Sequence, residues 1–185
     1  LHEFKQKTKS VAIWSVSVVL MILIFMSVFP SFADNAELLQ STLDSFPEEF
    51  LMAFGMNGID MSSVVGFYGI CILFCMLVIS IQAANYGFSL VSVEERDLTA
   101  DFLLTKPISR VKILTNKLLA ALAALAITNV VAWLATYLVV AVFQGDRTTD
   151  YAILNLMLFS ITFMQLFFLS VGMAVSQLVK KIRTV

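Results

Sequence analysis

Residues Ser92–Lys117 read SVEERDLTADFLLTKPISRVKILTNK, the one long charged stretch between apolar runs. Immediately before it lie 23 residues, 62–84, with no Asp, Glu, Lys, Arg or His; after it lie 26 more, 118–143. Crossing a hydrocarbon core of about 30 Å takes about 20 apolar residues at about 1.5 Å per helical residue. Both flanks therefore read as membrane spans, and the charged stretch reads as a loop that joins them on one side.

Working outward, two more uncharged runs appear. One is Val11–Phe29, closed by Pro30, and the other is Tyr151–Leu178. The expected architecture is all-α: a single polytopic bundle with spans at 11–29, 62–84, 118–143 and 151–178, a loop at 30–61 and another at 85–117. Composition agrees. The 185 residues are 59% hydrophobic and 14% charged, with mean hydropathy +0.91. A soluble domain has roughly 25% charged residues.

Lysine and arginine set the orientation. Lys5, Lys7 and Lys9 precede the first span, and Arg96, Lys106, Arg110, Lys112 and Lys117 lie between the second and third. Lys180, Lys181 and Arg183 follow the fourth. Only Arg147 falls on the other side, so eleven of twelve positive charges share one side. That side is expected to be the cytoplasm, with both termini in it. Loop 30–61 is then external. It carries Asp34, Glu37, Asp44, Glu48, Glu49 and Asp60 and no base. Within it, Ser45-Phe46-Pro47-Glu48 has the form of a capping box opening a short helix, with Gly55 as its stop. The first run also resembles a signal peptide, with Ser31-Phe32-Ala33 as a small-x-small site. Its uncharged run of nineteen residues exceeds the roughly 7–15 of a secretory core, which favours a retained anchor.

The residue census excludes several functions. No catalytic constellation is visible, and the spans hold no histidine or carboxylate for proton relay or proteolysis. The P-loop pattern G-x-x-x-x-G-K-[ST] is missing, so no energy source is encoded here. No metal site is expected: Cys71 and Cys75 lack partner ligands and read as small buried residues. No basic groove studded with aromatics suggests nucleic acid. The uncharged polar residues of the spans include Gln82, Thr128, Asn129, Asn155, Thr162 and Gln165. They can bond neighbouring helices or line a path, with Asn129, Asn155 and Gln165 as path candidates. Gly66, Gly69 and the alanine-rich segment 120–126 allow close helix approach.

Within the central loop, Ser92 and Glu95 form a second capping box, and Leu98 and Phe102 share a face of the helix it would start. Pro107 ends that helix. Ser109 can cap a new one that begins at Arg110 and feeds the third span. A partner gripping the short helix would move that span through a stiff corner. Two functions fit: a transport subunit driven by a partner, or a scaffold or sensor that recruits a cytoplasmic protein.

The stretch from Glu95 to Arg110, ERDLTADFLLTKPISR, resembles the first cytoplasmic loop of ABC-2-type permeases, the membrane subunits of ATP-binding-cassette exporters. The Lys117-Leu118 pair is similar to the opening of that family's third span. The resemblance implies a coupling helix seated in a separate ATP-binding subunit, which holds the ATP and magnesium. It implies a second permease copy or homologous permease, a lipid environment and a bacterial plasma membrane. By position, Glu95, Thr99, Asp101, Leu104, Pro107, Ser109 and Arg110 match the motif, and Phe102 and Leu103 would be the apolar plugs. Leu98 departs from the family's usual glycine. The family usually has six spans; the two beyond these four are expected to be missing by truncation or divergence, and Leu1 in place of a start methionine is read as processing, trimming or another start codon.

Overall fold

A computed structural model describes residues 2–53, 60–96 and 110–178. It is helical, with no strand among the described residues. Six helices follow in order among the described residues: α1 (His2–Asp34), α2 (Ala36–Leu43), α3 (Glu48–Ala53), α4 (Val64–Arg96), α5 (Arg110–Phe143) and α6 (Tyr151–Leu178). Four contain stretches long and apolar enough to cross a bilayer: Thr8–Asp34, Val64–Leu90, Leu114–Phe143 and Tyr151–Leu178.

The helices start and stop for local reasons. Ser63 caps α4: its hydroxyl accepts the Gly66 N–H at 3.0 Å. The Asp60 carboxylate accepts the Ser62 hydroxyl and, at 2.9 Å, the Ser62 N–H. These bonds, the hydroxyl's first, hold the Asp60 carboxyl below its ordinary range. Asp150 caps α6 by accepting the Ala152 and Ile153 N–H groups at 2.9 and 3.2 Å. α5 closes with Gln144 N–H on the Val140 carbonyl at 2.9 Å, followed by Gly145 at φ +60°, where a side chain would be strained.

Three expected boundaries move. α1 does not stop at Pro30 but runs through it to Asp34. The lost N–H and the ring clash cost about 3 kcal/mol. Here the turn is held by burial: Phe29 and Ala33 are buried, and Phe29 and Phe32 pack on the Phe67 ring at 5.4 and 5.3 Å. Ser45 does not cap α3. Its hydroxyl instead donates to the Thr42 carbonyl at 2.6 Å, closing α2, and the Pro47 carbonyl accepts the first bonds of α3. The third concerns Ser92, which opens no new helix because α4 continues through it to Arg96. Tyr86 and Leu90, four residues apart and both buried, extend the inward stripe of α4, so the helix has reason to persist past the expected end of the span.

α4 is the hub of the bundle. It runs antiparallel to α1 and α5 and parallel to α6, and touches all three. Buried residues recur at helical spacing: Val18, Ile22, Met26 and Phe29 on α1, and Tyr68, Cys71, Cys75 and Ile79 on α4. They form one apolar core with Ala132, Ala135, Leu154 and Leu158. A second core sits toward the other end of the bundle, from Val11, Ala83, Leu90, Ala121, Ala124, Leu125 and Leu169.

α4 and α6 meet backbone on backbone. A Cβ added at Gly87 of α4 would lie 2.2 Å from the Leu169 carbonyl oxygen of α6. One added at Gly172 of α6 would lie 2.3 Å from the Ala84 carbonyl oxygen of α4. The two glycines thus interlock two spans at one level. Gly69, by contrast, leaves ordinary space, with Met157 Cε at 3.7 Å. Gly172→Ala is expected to lower stability by about 1–3 kcal/mol through overpacking. Gly69→Ala should stay within about 0.5 kcal/mol of the parent. Thermal unfolding of both variants in the same detergent checks this; equal effects would contradict the interlock.

Candidate functional site

The segment that sequence reasoning singled out is bracketed by two long helices. Thr99, Asp101, Phe102, Leu103, Leu104, Pro107 and Ser109 lie outside the described residues. Glu95 belongs to the last described turn of α4, and Arg110 opens α5. From Arg110 the helix is unbroken to Phe143, so the third span is rigidly continuous with the residues that leave the loop.

Just above that junction the two flanking helices are tied together. Lys117, 7% exposed, projects from α5 toward α4, and its Nζ donates to the Leu90 carbonyl oxygen at 3.3 Å. Its four-carbon stem lies at the edge of the second apolar core, where Leu90 and Ala121 are buried. Sequence reasoning had placed Lys117 among the cytoplasmic charges; that it would be buried was not foreseen.

Farther along the bundle, uncharged polar groups join the spans. Gln82, fully buried on α4, donates from Nε2 to Thr128 Oγ1 of α5 at 2.9 Å and, more weakly, to the Tyr86 hydroxyl at 3.5 Å. The Tyr86 hydroxyl donates to Ser10 Oγ of α1 at 3.1 Å. One chain of hydrogen bonds therefore crosses three helices. Tyr68 and Thr136 share a bond of 2.7 Å that links α4 to α5 nearer the opposite end.

Two of the three path candidates meet. Asn129 of α5 donates from Nδ2 to Gln165 Oε1 at 3.0 Å and to Thr162 Oγ1 at 2.8 Å, both on α6. Asn155 stands apart from them and accepts the Tyr137 hydroxyl; Tyr137 stacks on Tyr151, with ring centroids 5.9 Å apart. Five buried atoms of the spans, Ser15 Oγ, Gln82 Oε1, Asn129 Oδ1, Gln165 Nε2 and Ser176 Oγ, have no hydrogen-bond partner among the described residues. Leaving such a group unpaired costs about 1–3 kcal/mol.

At the far end, Arg147 in the α5–α6 turn pairs with Asp34 at the end of α1, 2.8 Å apart. Its guanidinium lies 5.6 Å from the Phe29 ring centroid. The signal for this pair was in the sequence, since Arg147 is the single base facing an acidic loop. The two cysteines are buried and free. No group of three or more metal-ligating side chains is found among the described residues. The three tyrosines that carry much of the polar bonding, Tyr68, Tyr86 and Tyr137, were missed because their rings count as apolar in a hydropathy scan.

A protein-family model described as ABC-2 family transporter protein matches residues 1–184. No curated protein and no solved structure matches the chain.

The Asn129–Gln165 contact is open to a double-mutant cycle using Asn129→Ala and Gln165→Ala. Interhelical polar pairs in membranes couple by about 0.6–1.7 kcal/mol, and a value in that range is expected from unfolding in detergent. A coupling energy of zero would show that the amides meet without holding the helices.

Proposed function

Because the chain belongs to the ABC-2 family of transporter proteins, we propose that it is the permease of an exporter whose ATP is hydrolysed by a separate subunit docked on residues 92–110. The membership makes it a multi-pass permease component of an ABC transporter, and not itself the catalytic enzyme. The finer reading places it in a bacterial plasma membrane with both termini in the cytoplasm.

One observation carries the docking proposal. The stretch between α4 and α5 is acidic and apolar by turns, and its flanks are long continuous helices pinned to each other at their base. A partner seated on that stretch meets stiff levers on both sides rather than slack chain. In this reading Phe102 and Leu103 fill an apolar groove of the ATP-binding subunit. Glu95, Asp101 and Arg110 make charged contacts at its rim, with Thr99, Leu104, Pro107 and Ser109 shaping the turn. Magnesium and ATP stay in the partner.

The path for cargo is proposed to form with a second permease copy. Asn129, Asn155 and Gln165 would line its approach, and the unpartnered Oδ1 of Asn129 and Nε2 of Gln165 support a role beyond helix packing. The cargo they suit is uncharged where it touches the spans, since those spans present amides and hydroxyls rather than ions.

Replacing Phe102 and Leu103 together with aspartate is expected to abolish association with the ATP-binding subunit while leaving membrane insertion intact. Co-purification from native membranes, followed by an ATPase assay on the eluate, reads both. Undiminished ATPase recovery with the double variant would contradict the docking assignment.

A further inference from the structure

Burying a lysine to 7% exposure takes its charge out of water, which is costly. Its stem could be replaced by methionine with no loss of apolar packing, and such replacements of buried charged groups are often neutral or stabilising. What methionine cannot supply is a donor. Lys117 Nζ donates to a main-chain oxygen, that of Leu90, and so ties α5 to the α4 backbone.

The surroundings of that tie give it reach. Leu90 lies three residues beyond Gly87, where the α4 backbone touches Leu169 of α6. Next to Gly87 in sequence, Tyr86 bonds Ser10 of α1. Within about two turns of α4, therefore, α5, α6 and α1 are each fastened to it: by a lysine–carbonyl bond, a glycine contact and a tyrosine–serine bond. Farther along, α5 and α6 are joined by the side chains of Asn129, Thr162 and Gln165, with no comparable backbone contact.

We propose that Lys117 is a positioning residue that closes the base of the 91–116 segment into a frame, so that a pull on the segment displaces α4 together with α5, and α6 with α4, instead of levering α5 alone. The proposal deepens the docking reading above and rests on it for the source of the pull. The tie itself is a property of this chain and is testable without the partner.

The test measures the α4–α5 distance by pulsed electron spin resonance. Nitroxides are placed at Asn85→Cys and Leu119→Cys, both exposed positions, in a chain whose buried Cys71 and Cys75 are replaced by alanine. The chain is held in lipid nanodiscs, alone and with its co-purified ATP-binding subunit. With Lys117 in place, a single narrow distance is expected, unmoved when ATP is added to the complex. With Lys117→Met, the distance should broaden in the chain alone and shift with ATP in the complex; Lys117→Arg, which keeps a donor, should restore the narrow peak. Unchanged unfolding temperature of the Lys117→Met chain would separate this effect from general destabilisation. A narrow, nucleotide-insensitive peak with Lys117→Met overturns the proposal, as does an ATP-dependent shift with Lys117 in place. Failure of any ATP-binding subunit to co-purify would instead count against the docking reading, while the chain-alone comparison still decides the tie.

Discussion

The contact on which this bundle depends is the meeting of two backbones, α4 and α6, at Gly87 and Gly172. In lipid, apolar side chains gain little by leaving one apolar environment for another, so helices associate through close packing and interhelical hydrogen bonds. The glycines remove the side chains that would hold the helices apart. Once α6 is locked to α4, the face of α4 left for α1 and α5 is fixed, and with it the depth at which every polar pair must meet. The pairs Tyr86–Ser10, Gln82–Thr128 and Tyr68–Thr136 all fall in antiparallel register with that arrangement.

The polar groups explain what kind of machine such a bundle can be. The uncharged runs 11–29, 62–84, 118–143 and 151–178 contain neither a charge pair to be broken nor a carboxylate to be protonated. A transporter that drew on an ion gradient would commonly have such groups near mid-membrane. Membership of a family of permease subunits implies an ATP-binding partner as the source of energy. The unpartnered acceptors and donors at Gln82, Asn129 and Gln165 raise the cost of the observed packing. They lower the cost of leaving it, which suits a bundle that has to change arrangement when pulled.

The four spans and the all-helical class were legible because length and apolarity suffice for both. The continuity of α5 from Arg110 was also legible, as were the acidic first turn of α3 at Glu48 and Glu49 and the burial of both cysteines. What failed was the weight given to local end signals. Ser92 and Ser45 each carry a good capping pattern, yet tertiary burial at Leu90 and the Pro47 carbonyl decided the outcome. The faces of the spans were illegible for a different reason: in a helix apolar all round, no hydrophobic stripe marks the buried side. Gly66 and Gly69 were singled out for helix approach, whereas Gly66 sits under the Asp60 carbonyl of its own turn and the true crossing lies at Gly87 and Gly172. The alanine segment fared better, since Ala121 and Ala124 are fully buried. Of the candidate docking segment, only the flanking Glu95 and Arg110 fall on described helices, and Lys117 gained its place from a contact no pattern announces.

Sidedness is the most direct test of a chain moved from the cytoplasm by a nucleotide-driven partner. Single cysteines at Ser41, exposed beyond α1, and at Thr105, between α4 and α5, are introduced in turn into a chain lacking Cys71 and Cys75. A membrane-impermeant maleimide is then applied to intact cells and to permeabilised ones. The account predicts that the cysteine at 41 is labelled in intact cells and the one at 105 only after permeabilisation; labelling of 105 from outside intact cells would contradict it.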